Sequence, residues 1–235
     1  MLGRETARIV LSAACIVCSE ELSWFDREGS CCRRCWAGLP RIEGTKCRRC
    51  STPFAFRGHD QLAICIPCSA SDHACTWIEA WGEYRGALER VLHAFKFERH
   101  DFLSAPLSIL LVERLHARAE TFDVVVPVPM HGTKRRKRGY NQAELLARGV
   151  ARLAGVEHRP ELLSKREERH TQSTLPRDSR RANVRRVFEA SKKVSGLSVL
   201  LVDDIATTGE TLEACAAALK TAGAVRICAV VVAKA

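Results

Sequence analysis

The sequence predicts an α/β protein, a parallel sheet flanked by helices, preceded by a small cysteine-rich domain. Two observations carry that prediction. Eight cysteines before residue 76 fall into four Cys-x-x-Cys pairs. Beyond residue 75, short apolar runs alternate with stretches of helical periodicity, the mark of strand–helix–strand units. A third observation locates the working end. One apolar run finishes in two carboxylates and a Thr/Gly turn, and such sheets bind ligands outside the carboxyl ends of their strands. With 235 residues, 46% hydrophobic and 27% charged, the chain can bury a sizeable core and is neither disordered nor low-complexity. No apolar stretch approaches the roughly 18–20 residues that span a bilayer, so membrane insertion is not expected.

The cysteine-rich part comes first, over residues 1–74. Its pairs are Cys15/Cys18, Cys32/Cys35, Cys47/Cys50 and Cys65/Cys68. Two thiolates three positions apart grip one metal ion from a single tight turn, and two such pairs complete a tetrahedral Zn²⁺ shell. The gaps are similar, 13 residues from Cys18 to Cys32 and 14 from Cys50 to Cys65, which favours two consecutive zinc ribbons. Spacing leaves an interleaved pairing open. It also leaves open Cys31 in place of Cys32, and His59, His73 or Cys75 in the second site. With all positions filled by thiolate, neither of the two zinc ions has room for water or substrate, so both read as structural. A disulfide framework behind a leader peptide is the competing reading. The short apolar run that would serve as leader contains Cys15 and Cys18, so its removal would orphan a metal-binding pair. Thiolates on zinc predict a reducing, cytoplasmic setting. Eight thiolates and two Zn²⁺ turn the +2 of residues 1–74 into about −2. The ribbons as a whole are then no basic clamp for nucleic acid.

Residues 75–235 form the second domain. Residues 76–84 read as a short strand, 85–97 as a helix with Leu88, Val91, Leu92 and Phe95 on one face, and 102–117 as a second helix. The β-branched run 123–129 is stopped by prolines, a buried strand leading into a loop. Residues 142–153 are helical with Asn141 as N-cap. Residues 166–186 are polar and aperiodic, a mobile loop. Residues 198–202 form a buried strand, 210–222 a helix ended by Gly223, and 225–232 a final strand. Cys215 and Cys228 lie in apolar patterns and read as buried small hydrophobes.

Charge singles out one window. The net charge is +10, and residues 131–187 alone carry 16 Lys/Arg against 6 Asp/Glu. A local excess of this size is either a solvated face or a surface for an anionic partner.

The most informative stretch is Val199-Leu-Leu-Val-Asp-Asp-Ile-Ala-Thr-Thr-Gly-Glu-Thr211. An apolar strand runs into Asp203 and Asp204, and a small turn then opens a helix. Residues Ala206, Thr207, Thr208, Gly209, Glu210 and Thr211 offer backbone N–H groups, three hydroxyls and a helix N-terminus, donors suited to a phosphate monoester. The two carboxylates are acceptors suited to vicinal sugar hydroxyls. Together they describe a ribose 5-phosphate. Neither Gly-x-Gly-x-x-Gly nor a P-loop is present.

This stretch closely resembles the 5-phosphoribosyl-1-pyrophosphate (PRPP) motif of type I phosphoribosyltransferases. The whole arrangement resembles the ComF/GntX-like family. The cysteine-rich start, Pro127-Val-Pro-Met with Arg138-Gly-Tyr-Asn-Gln142, and Thr171-Gln-Ser-Thr-Leu175 with Arg180-Arg-Ala-Asn-Val184 all fit its pattern. Thr174 stands where the family has Gly. The resemblance implies a type I phosphoribosyltransferase fold behind a zinc-ribbon domain, kinship with amidophosphoribosyltransferases and a link to competence and DNA uptake. It implies Mg²⁺ bound with PRPP, and Asp203, Asp204 and Arg138 as catalytic residues. Lys134, Arg135 and Arg138, in the loop after Pro129, would take the pyrophosphate, with Arg136 and Lys137 turned to solvent. Gln172, Arg177, Arg180 and Asn183 would belong to a lid closing over PRPP. Lys96 also matches a family position, although a surface lysine would look the same. No amidotransferase nucleophile is visible. Three functions remain in view: a phosphoribosyltransferase, a single-stranded-DNA-binding accessory that keeps a PRPP pocket, and a docking module for a DNA-uptake helicase or another competence protein.

Overall fold

The computed structural model describes residues 14–22, 30–54, 63–166 and 187–235. Its centre is a five-stranded, all-parallel sheet in the order β1-β7-β6-β2-β3. The strands are β1 (Ile78–Glu83), β2 (Val124–Pro127), β3 (Glu157–His158), β6 (Ser198–Ala206) and β7 (Arg226–Lys234). A short antiparallel pair, β4 (Leu163–Lys165) and β5 (Phe188–Ala190), stands apart from it. The central strands β2, β6 and β7 are valine-rich and largely buried, as a sheet covered on both faces requires.

Alternate residues of each strand face opposite layers. Leu200, Val202, Cys228 and Val230 pack with helices α3 (Gly86–Phe97), α4 (Ser104–His116) and α6 (Gln142–Ala154). Val199, Leu201, Ile227 and Val231 pack on the other face against α7 (Glu210–Thr221) and the β4–β5 pair. Cys215 and Cys228 are fully buried, as expected.

The ribbons repeat one design. The bridges Ala14↔Glu21 and Lys46↔Pro53 frame the knuckles Cys15/Cys18 and Cys47/Cys50. The other two knuckles open short helices, α1 (Arg33–Ala37) after Cys32 and α2 (Ile66–Ser69) after Cys65. The stretch 40–51 then closes the outer edge of β1. Glu83 N donates to Pro40 O (2.8 Å), Ile42 N to Trp81 O (3.0 Å) and Ile78 N to Arg49 O (2.6 Å). Ser51 Oγ donates to Ile78 O and accepts from Ala80 N, both at 3.0 Å, in place of a strand's backbone. The approach is so close at Gly82 that a Cβ there would lie 2.6 Å from Pro40 O. An edge that would otherwise offer unpaired backbone groups is therefore covered.

Three expectations change. Residues beyond Pro129 were expected to form a loop, but α5 (Gly132–Arg138) is a helix. Its Lys/Arg run consists of good helix formers, His131 caps the Thr133 amide, and Gly139 ends it. The strand expected over 198–202 continues to Ala206, because Asp203, Ile205 and Ala206 pair with Val231, Ala233 and Lys234 of β7. The β4–β5 pair has too few residues to show a period in the sequence. The loop expected over 166–186 falls, from residue 167 on, outside the described residues.

Candidate active site and zinc centres

β2 and β6 are neighbours, yet the chain leaves β2 through α6 towards β3 and leaves β6 through α7 towards β7. The crevice between their carboxyl ends is thus the topological switch point of the sheet, where open α/β folds bind ligands. Asp203 and Asp204 stand there.

Because β6 runs through both aspartates, they lean to opposite faces. Asp204 follows Leu200 and Val202 towards α3, where Lys96 Nζ meets its Oδ1 at 3.0 Å. Both groups are largely enclosed, with side chains 18% and 9% exposed. Asp203 follows Val199 and Leu201 towards α7, and its Oδ1 accepts the Asp204 amide at 2.8 Å. Burial raises the Asp203 carboxyl above the ordinary carboxylate range, and Asp204 raises it further. The Asp204 amide and Lys96 oppose that rise. Tyr84, just past the end of β1, also faces the site. Burial lifts its phenol, with Glu89 and Asp204 adding to the effect.

The turn after β6 is shaped by Gly209, whose φ of +83° suits glycine. A Cβ there would also press on Ile78 Cδ1 at 3.2 Å. Thr207, Thr208, Glu210 and Thr211 are exposed at the N-terminus of α7, while Ala206 and Gly209 are buried. The Lys234 ammonium holds the Thr207 carbonyl, and Ala235 N donates to Ala206 O at 3.0 Å, so the turn is pinned from β7. Exposed donors at a helix N-terminus, behind a fixed backbone, fit a phosphate group.

The Arg138-Gly-Tyr-Asn-Gln142 stretch acts on Lys96. Tyr140 Oη donates to Phe95 O (2.6 Å) and Gln142 Nε2 to Lys96 O (3.3 Å). The Arg138 guanidinium lies 4.7 Å from the Phe97 ring centre and donates to Gln142 Oε1 at 3.4 Å. Asn141 caps α6 and donates to Val128 O at 3.1 Å, which joins this corner to the end of β2. The end of α3 is held from three sides, and Lys96 with it. The sequence marked this lysine only through its resemblance. Tyr84 gave no signal, because only the fold brings it near Asp204. Lys134, Arg135, Arg136 and Lys137 are all exposed on α5, so no split between inward and solvent-facing side chains is seen. The lid candidates Gln172, Arg177, Arg180 and Asn183 lie outside the described residues. The two ends of that segment are held side by side, with Arg166 N donating to Val187 O at 2.8 Å.

The eight cysteines gather as two clusters, Cys15/Cys18/Cys32/Cys35 and Cys47/Cys50/Cys65/Cys68, which settles the pairing as sequential. Cys31, His73 and Cys75 belong to neither cluster, and His59 lies outside the described residues. Sulfurs 2.3 Å from a tetrahedral zinc stand about 3.8 Å apart. The observed Cys18–Cys32 and Cys50–Cys65 distances are 3.8 Å and 3.6 Å. Burial pushes the Cys15 thiol up, but the amides of Cys18, Cys32 and Val17 outweigh it and bring the pKa down to about 6. The amides of Cys65, Cys50 and Arg49 likewise bring Cys47 to about 7. Amides aimed at sulfur favour thiolate, the form that binds zinc.

Comparison with known proteins agrees with this layout. Residues 6–71 match the double zinc ribbon domain and residues 109–235 the phosphoribosyl transferase domain. These define a zinc-ribbon protein of the phosphoribosyltransferase class. The chain is 30% identical to the DNA utilization protein YhgH of Salmonella typhi, over 77% of this chain and 80% of that one. It is 29% identical to the competence protein ComFC of Streptococcus pneumoniae, over 84% of each. With these relatives and both domains present, the chain belongs to the ComF family. Among solved structures it is similar to the glutamine PRPP amidotransferase from B. subtilis, with 23% identity and a TM-score of 0.41, over 55% of this chain and 25% of that one. Among the described residues no helix is long and apolar enough to cross a membrane.

Proposed function

We propose that this protein binds PRPP with Mg²⁺ at the carboxyl end of β6 and transfers or senses the 5-phosphoribosyl group in the service of DNA uptake. The reading rests on one arrangement: Asp203 and Asp204 at the switch point, followed by a Gly209-dependent turn into the N-terminus of α7. In this reading residues 206–211 hold the 5-phosphate and Asp204 orients the ribose hydroxyls, with Asp203 beside it. Lys134, Arg135 and Arg138 face the departing pyrophosphate, and the segment with Gln172, Arg177, Arg180 and Asn183 closes over the donor. Loss of pyrophosphate from the anomeric carbon needs no covalent nucleophile from the protein. It needs a positioned donor and positive charge where negative charge develops. Mg²⁺, when bound, supplies part of that charge.

Two zinc-ribbon sites, a boundary near residue 74 and a cytoplasmic setting complete the proposal. The exposed basic helix α5 supports a second function at the same end of the molecule, contact with single-stranded DNA. A DNA-uptake helicase or other competence protein is the partner suggested by the names of the relatives. Pyrophosphate release from PRPP, with nucleobases and ammonia offered as acceptors, tests transfer. Release with one acceptor establishes a transferase. PRPP binding with no release leaves sensing.

A further inference from the structure

Where the ribbon closes β1 there is a cavity of about 610 Å³, lined by Thr45, Lys46, Arg48, Glu79, Arg114 and Arg118. It lies beyond the outer edge of β1, with β7 between that strand and β6, so it is separate from the aspartates. Glu79 is the buried carboxylate of the group. Lys46 takes one of its oxygens, and Arg118 the other through Nη2 at 2.8 Å and Nε at 3.1 Å. Arg114 spends Nη2 on the carbonyls of Ile42 and Trp81, while its Nε is buried without a hydrogen-bond partner. Arg41 nearby is paired with Glu113. Four basic side chains and one carboxylate thus line the cavity, and Glu113 and Glu43 act on Arg114 from outside it.

A partly enclosed space lined mainly by basic side chains attracts anions. The volume lies in the range of small-molecule sites. Guanidinium groups fit phosphoryl oxygens in particular. We propose that this junction is a second anion site, which takes a small phosphorylated ligand between the ribbon and the sheet. Occupied, it would tie Lys46 and Arg48 of the ribbon to Arg114 of α4 and Arg118 just beyond that helix, and so join the two parts of the chain. The proposal stands independently of the PRPP reading.

The probe is inorganic pyrophosphate without divalent metal, titrated into the zinc-loaded full chain and followed by amide NMR. Saturable shifts at residues 44–48 and 117–118 are expected. Arg48→Glu should weaken them at least tenfold, and its exposed side chain makes the variant safe for folding, with zinc content as the check. Lys46→Gln should weaken them as well, while shifts at residues 207–211 persist in both variants. Shifts confined to residues 207–211 and α5 would overturn the proposal. So would a single-stranded oligonucleotide that moves the junction amides at lower concentration than pyrophosphate, because the cavity would then belong to a nucleic-acid path.

Discussion

Lys96 at the end of α3 and Asp204 near the end of β6 meet at 3.0 Å across the mouth of the sheet. The corner that Arg138, Tyr140, Asn141 and Gln142 build around Phe95–Phe97 holds that lysine in place. Removing one partner of an enclosed ion pair strands the other charge, at a cost of about 3 kcal/mol or more. Lys96→Met should lower stability by that order in denaturant titrations at pH 7, and should weaken PRPP binding. A change under about 0.5 kcal/mol would show an ordinary surface lysine.

Asp203 has the opposite sign. Its folded-state pKa is raised, so the stability present below the ordinary carboxylate pKa of about 4 is lost as pH climbs towards the folded value. Asp203→Asn keeps an acceptor for the Asp204 amide and avoids the buried charge. The variant should be more stable than the parent at pH 8 by about 1–2 kcal/mol and no more stable below pH 4. Thermal melts across that range read the difference. A destabilised variant at pH 8 would contradict the burial argument.

Gly209 carries the turn that leads into α7. Gly209→Ala places a Cβ at φ +83° and against Ile78, for a loss of about 1–2 kcal/mol. Because the same turn presents residues 207–211, PRPP affinity should fall at least tenfold even at temperatures where the variant remains folded. Calorimetry on folded protein separates the two effects.

Two zinc ions per chain are expected by elemental analysis. Chelation should unfold more than the ribbons, since Pro40, Ile42, Arg49 and Ser51 cover the edge of β1. A single cooperative loss of far-UV circular dichroism is the expected result. A chelated chain that keeps its strand and helix signal would show that the sheet needs no cover from the ribbon.

The sequence displayed what is local and periodic. Four Cys-x-x-Cys pairs announced two metal sites, and the clusters fixed a pairing that spacing alone had left open. The strands expected over 123–129, 198–202 and 225–232 stood out because a doubly covered sheet demands unbroken apolar runs, and β2, β6 and β7 lie there. The Asp203-Asp204 pair and the turn after it were legible because one continuous segment builds them. Other features depend on distant residues. Lys96 meets Asp204 across more than a hundred positions. The helix α5 was hidden because a Lys/Arg run without apolar residues has no amphipathic period, although its helix propensity is good.

The central claim is a PRPP site at the end of β6, and calorimetric titration of the zinc-loaded protein with PRPP, with and without Mg²⁺, tests it most directly. An Asp203→Asn/Asp204→Asn variant serves as control. The account predicts saturable binding that requires Mg²⁺ and disappears in the control. No heat of binding from a folded, zinc-replete protein, or equal binding by the double variant, would contradict it.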